Sequence, residues 1–383
     1  MHRPIYKLFC FAALSLMTMA CKKNQTEHVV EVNDHYRFLI GGYTEHETDG
    51  IGLLKFDPVS NDISVDIIGN GIKNPSFLLT NKDQTILFAV EETAGDQGGK
   101  VKSFELDLDQ KSLKLLSTVD TEGNHPCHLA MDPSEKFLVV GNYSGGNFSV
   151  FKNEAGVLTQ VQTIQHEGKS IVGSRQEKPH VHSTVFHPNG KQLLVADLGT
   201  DKIHLYDFNP DLTVPFQHAK PAYFEVEAGS GPRHLLLNES GDLIYLIHEL
   251  SAELGVYSYE NGVIHNLEVL PLTHPHFEGS VGAAEIKFSK DGKFVYASNR
   301  GDANEISVYE KDLNDRLILI QRTSTKGETP RNFDFSPDGN FLVVAHQGSD
   351  GIIVFEMDQK SGLIKEEVQK VAFKKPSYVL PIR

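Results

Sequence analysis

Three histidines fall within eight residues of the stretch KPHVHSTVFHPNGK, residues 178–191: His180, His182 and His187. Histidine is the common general base near neutral pH and the common metal ligand. His180 and His182 are two apart, and alternate residues of a strand point to one face. The stretch is therefore a metal pair, a piece of catalytic machinery, or a chance pattern on a strand. Two arginines stand out further along, Arg233 in GPRH and Arg300 in SNRG. Paired guanidiniums suit an anionic substrate or a developing oxyanion. Glu249 follows Arg233 closely; it is either a general base or the ion-pair partner of those arginines, and Glu285 is a second such partner. Asn142, Asp197 and Asn299 are residue types that cap turns; Asn142 is also kept as a substrate contact. Cys127 reads as a small inert residue. No Gly-x-Ser-x-Gly elbow occurs, and no His–Ser or His–Cys spacing marks a nucleophile.

These residues lie in a repeated frame. Short apolar runs alternate with polar turns such as HPNG (187–190), SKDG (289–292) and SPDG (336–339), the pattern of successive β-hairpins. Aligned on those turns, the residues opening each first strand are Ser76, Cys127, His182, Arg233, Ala284 and Arg331. The period is about 50 residues, the size of a four-stranded propeller blade. KPSYVLPIR at the C-terminal end copies NPSFLLTNK (74–82) and then stops. YRFLIGGYTEHETDGIGLLKFD (36–57) copies second and third strands. The expected fold is all-β: a seven-bladed β-propeller over 36–383, closed by pairing the N- and C-terminal segments in one blade. An open β-sandwich is the competing fold.

A closed ring makes equivalent positions neighbours. One column then reads Ser76, Cys127, His182, Arg233, Ala284, Arg331, Ser377. The next reads Phe77, His128, Ser183, His234, Glu285, Asn332, Tyr378. The corners ending the second strands hold Glu249, Arg300, Tyr43, Glu92, Tyr143 and Gln347. Both sets are expected at one mouth of the central channel. His187 aligns with the hairpin turns instead. It lies five residues past His182, roughly 16 Å along a strand, so the three histidines cannot share one metal.

Composition bounds the function. The 383 residues carry 36 Lys+Arg against 51 Asp+Glu, a formal net charge of −15. An acidic chain lacks the basic footprint of nucleic-acid binding. The first residues, MHRPIYKLFCFAALSLMTMAC, pair a basic start with an apolar run too short to span a bilayer, the layout of a secretory signal. An alanine directly before Cys21 is the pattern of a bacterial lipoprotein. The expectation is a signal peptide at 1–20, lipidation at Cys21, a tether over 21–35, and a periplasmic or outer-membrane location. Of the three cysteines, Cys10 lies in the apolar run and Cys21 at the cleavage point. Cys127 is then left without an internal disulfide partner.

PHVHSTVFHPNGKQLLVADLGTDKIHLY (179–206), GPRHLLLNESGDLIYLIHEL (231–250), GAAEIKFSKDGKFVYASNRG (282–301) and TPRNFDFSPDGNFLVVAHQG (329–348) resemble the seven-bladed propeller lactonases. These include the propeller type of 6-phosphogluconolactonase and a fungal carboxy-muconate cycloisomerase relative. The resemblance spans Tyr36 to Arg383. It implies hydrolysis of a lactone without metal or organic cofactor. It implies a catalytic set of His182 (or His180), Arg233, Glu249 and Arg300, with either the histidine or Glu249 as base. His180, His234, Glu285, Arg331 and Asn142 are expected to contact substrate. His248 and His346 stand where the family carries Asn. The partner is a small sugar lactone, phosphorylated or not, acted on by a monomer that meets the membrane only through its lipid. The competing function is a non-catalytic surface propeller serving as a binding module. A metal-dependent lactonase would instead need several carboxylates converging on the axis.

Overall fold

A computed structural model describes Met1 and residues 35–383. The signal, Cys21 and nearly all of the tether lie outside the described residues. The remainder is twenty-eight strands in seven four-stranded antiparallel sheets. Six sheets use four consecutive strands. The seventh pairs the C-terminal strand Pro376–Ile382 with the N-terminal strand Tyr36–Gly42, followed by Gly50–Phe56 and Ile63–Asn70. The ring is therefore closed by both ends of the chain, which leaves no open edge in it. The blades are numbered here from Phe77 onward, the terminal blade being the seventh. The first strands of neighbouring blades touch one another all round the ring and so line its axis.

Burial explains the sequence pattern. The second strands, such as Gln192–Asp197 and Phe294–Asn299, are apolar on both faces because each lies between two neighbouring blades. The outermost strands, such as Val263–Pro271, alternate exposed and covered residues. The polar turns do what their residue types require. Ser336, Asp338 and Gly339 close one hairpin, with Gly339 donating its N–H to the Ser336 carbonyl at φ +81°. His187 occupies the same place in blade 3. Its Nε2 donates to the Gly241 carbonyl at 3.0 Å, and its Nδ1 accepts from the Asn189 N–H at 3.1 Å, which makes it a turn residue.

One local feature was not visible in the periodicity. The innermost strands carry an extra residue near their start. Val181 pairs Asp197 and Ser183 pairs Ala196, so His182 has no opposite number. Pro232 pairs His248 and Leu235 pairs Leu246, and the same slip recurs around Ala284–Glu285 and Arg331. Such bulges re-aim side chains that simple alternation would send to opposite faces. They let two adjacent columns serve the channel.

Candidate active site

The corner after each second strand folds back beside the start of its first strand. Glu249 donates its N–H to the Gly231 carbonyl at 2.7 Å, and Arg300 donates to the Gly282 carbonyl at 3.1 Å. Gly231 adopts φ +68°, and a Cβ there would stand 2.6 Å from Leu250 Cγ. This is the physical content of GPRH and its Glu-Leu corner: a left-handed residue lets Arg233 and Glu249 turn toward each other.

They meet at one carboxylate. Glu249 Oε2 accepts from Arg233 Nε at 2.9 Å and lies 3.1 Å from Arg300 Nη2. Its Oε1 accepts from Arg175 Nη2 at 2.5 Å. His182 Nε2 stands 3.7 Å from Oε2. Arg233 and Glu249 are almost completely buried, at 2% and 5% exposure. Burial alone would raise the Glu249 pKa; the guanidiniums of Arg300, Arg233 and Arg175 outweigh it and hold it down to about 2. Glu249 is thus a fixed anion that takes no proton at neutral pH. Burial, with Arg233, His234 and Arg331 nearby, holds the His182 pKa well below its usual value, so this imidazole is neutral at neutral pH. Burial and the neighbouring Arg300 lower Arg233 to about 10, which leaves it charged.

Arg233 and Arg300 are also tied to backbone. Arg233 Nη1 donates to the Ala284 carbonyl, and Arg300 donates to the carbonyls of Gly282 and Ala283. Arg233 Nη2 and Arg300 Nη1 are left without partners among the described residues. These remaining donors suit an oxyanion. His182, Arg233, Glu249 and Arg300, four distant positions in the chain, come together here.

The other expected residues are distributed around this core. His180 stacks on Tyr143 with ring centroids 4.5 Å apart, donates Nδ1–H to the Tyr143 carbonyl, and lies 3.3 Å from Glu177. His234 lies beside His182, centroids 5.2 Å apart, and contacts Glu285 Oε1 at 3.2 Å. Glu285 also accepts from Asn332. This trio is buried in the channel and satisfied internally. Arg331 is at the mouth, over the Tyr43 ring. Asn142 is corrected: it is fully buried and donates to the Thr121 carbonyl at 3.2 Å, inside the blade rather than at the mouth. His248 is likewise internal, bonded to Ser230 and Tyr257, and His346 is fully buried. The two departures from Asn therefore do not line the site.

Sequence reading missed Arg175. It comes from the loop between Val157–Gln165 and Val181–Phe186, outside the blade repeat, so no column contains it. The loop is anchored by Gln176, whose amide donates to the Leu198 carbonyl at 2.8 Å. From there Arg175 reaches Tyr143 Oη at 3.2 Å as well as Glu249. The only signal was the length of the loop before His180.

One group among the described residues has metal-ligand spacing: His166, Asp197 and His204, with ligand atoms within 4.8 Å of one another. His166 uses both ring nitrogens on Asp197 and Tyr206. Its ring lies beside that of His204, centroids 3.9 Å apart and planes tilted by 31°. At the mouth Glu249 faces three guanidiniums, Glu285 faces His234 and Asn332, and Glu92 faces the Tyr43 and Ser76 hydroxyls.

The lactonase, seven-bladed β-propeller family matches residues 37–381. The chain belongs to this family. It is 34% identical to a 6-phosphogluconolactonase of Formosa agariphila over 340 residues, 87% of this chain and 95% of that one. It is 30% identical to the 6-phosphogluconolactonase of Bacillus subtilis, covering 84% and 91% of the two chains. Among solved structures it is similar to the periplasmic gluconolactonase PpgL of Pseudomonas aeruginosa. The TM-score is 0.87, with 35% identity over 91% of this chain and 99% of that one. Family membership makes this chain a lactonase, an enzyme that opens cyclic esters, and disfavours the non-catalytic module.

Proposed function

We propose that the protein hydrolyses a sugar lactone to the aldonic acid at this mouth, with His182 as general base. The observation that carries the reading is the buried Glu249 carboxylate holding three guanidiniums while a neutral His182 faces it at 3.7 Å. Water attacks the lactone carbonyl carbon as His182 takes a proton from it. The charge on the carbonyl oxygen develops against Arg233 and Arg300. Glu249 stabilises the imidazolium without becoming protonated, as a buried carboxylate does behind a catalytic histidine. The carbon–ring-oxygen bond then breaks, and the imidazolium returns its proton to the leaving oxygen. No step requires a metal.

In this reading the leader and Cys21 make the enzyme a periplasmic or outer-membrane lipoprotein, and the likeness to a periplasmic gluconolactonase supports export. A phosphorylated sugar lactone is a cytosolic metabolite, so the natural substrate in this reading is unphosphorylated. The test is hydrolysis of glucono-δ-lactone and its 6-phosphate by wild type, Arg233→Ala and His182→Asn. Hydrolysis above the spontaneous rate, falling about 100-fold or more in Arg233→Ala, is expected. Strict dependence on the phosphate defeats the exported-substrate reading, and wild-type rates equal to the spontaneous ones defeat hydrolysis.

A further inference from the structure

The mouth has two unlike halves. Blades 3, 4 and 5 supply His182, Arg233, Glu249 and Arg300, and there the cations have a carboxylate between them. The opposite half, from blades 6, 7 and 1, holds Arg331, Gln347, Tyr43, Glu92 and Ser76. Its first-strand column is otherwise small: Ser377 and then Ser76 follow Arg331 round the ring. Arg331 has no carboxylate within ion-pair distance among the described residues. Its one side-chain hydrogen bond goes to Gln347 Oε1 at 3.3 Å, and its guanidinium lies 5.2 Å over the Tyr43 ring. The neighbouring Glu92 carboxylate accepts from Tyr43 Oη at 2.8 Å and from Ser76 Oγ, both through Oε2. Arg331 opens its innermost strand at the same bulged position as His182 and Arg233 open theirs, so it belongs to the same channel mouth.

A guanidinium held over an aromatic ring, with most of its donors unused, still presents a planar fork. We infer that Arg331 binds a carboxylate at the end of the substrate remote from the lactone carbonyl, so that the preferred substrate is the lactone of a dicarboxylic sugar acid. The inference rests on the hydrolytic reading above. Charge decides between anions. The Arg331 half carries one cation beside one carboxylate, Glu92, so a phosphate dianion leaves one more negative charge unmatched there than a carboxylate does. A neutral hydroxymethyl group leaves the guanidinium without its anion.

The test uses δ-lactones differing only at carbon 6: gluconolactone, glucarolactone and 6-phosphogluconolactone. For wild type, kcat/KM should favour glucarolactone over gluconolactone by about 10- to 100-fold, the worth of one charge-assisted fork. In Arg331→Gln this ratio should collapse toward one; Arg331→Lys should recover part of it. A wild-type ratio near one, or a ratio unchanged in Arg331→Gln, overturns the assignment. So does a preference for the 6-phosphate that Arg331→Gln abolishes. If no lactone is hydrolysed, the catalytic reading fails separately. The subsite is then read by calorimetry with glucarate and gluconate: tighter glucarate binding that depends on Arg331 sustains it, and equal binding sinks it.

Discussion

Replacing Glu249 with Gln tests the core of the site, because it keeps the shape and removes the charge. Three guanidiniums then face one another with no anion between them. Arg175 is 42% exposed at its side chain, so its pair is screened by solvent and contributes under about 1 kcal/mol. Arg233 is 2% exposed and Arg300 16%; breaking buried pairs of this kind costs about 3–5 kcal/mol. The Gln oxygen still accepts one hydrogen bond, which places the loss near the lower end, about 3 kcal/mol. For a domain of this size that lowers Tm by roughly 4 °C. Activity should fall further than stability. Without Glu249 the imidazolium has no counter-charge, and kcat/KM should drop by about 10³. Differential scanning calorimetry reads the first number, and proton release from a sugar lactone in a pH-stat reads the second. The acid limb of the pH–rate profile should remain, because His182 is still the base, and should move to lower pH once the anion is gone. Loss of that limb would mean that Glu249 itself takes the proton. A variant with wild-type Tm and most of its activity would refute the arrangement altogether.

The protein should lose stability in mild acid. Burial holds His234, His248 and His346 down to about 4, against about 6.5 unfolded. The unfolded chain therefore binds protons first, and stability falls as pH drops from 6.5 toward 4. Glu249 and Glu285, held to about 2, extend the loss below their unfolded value of 4.5; a urea midpoint unchanged from about pH 7 to about pH 4 would contradict this. Gly231→Ala should destabilise by about 1–3 kcal/mol, because φ is +68° and Leu250 blocks the Cβ; chemical denaturation measures it. Arg175→Ala should change stability by under about 1 kcal/mol yet raise KM for the lactone. A large fall in Tm with unchanged kinetics would show that Arg175 only braces its loop.

Much of this was readable in the chain. The propeller follows from a period: each blade has the same hairpin turns, and a column of equivalent positions needs only a count. That count placed His182, Arg233 and Arg331 in one ring and Glu249 and Arg300 in another. It also removed His187 from the site, since a turn residue cannot share a strand's opening end. Asn142 misled because it stands in a polar column, and a column does not say toward which side of its strand a residue turns. Arg175 escaped because it lies in a loop outside the repeat.

The sequence alone therefore determined the architecture and the columns of equivalent positions round the ring, since hydrophobic alternation and turn chemistry are local and repeat along the chain. Only the tertiary structure decided what those residues do to one another. The bulges re-aim neighbouring columns into the channel. Packing removes Glu249 from water among three guanidiniums, which makes it a fixed anion and leaves His182 to accept the proton. Arg331 is left facing the cavity without a carboxylate of its own. Charge states and partners depend on distances across blades and on exclusion of water, and neither is written in residue spacing.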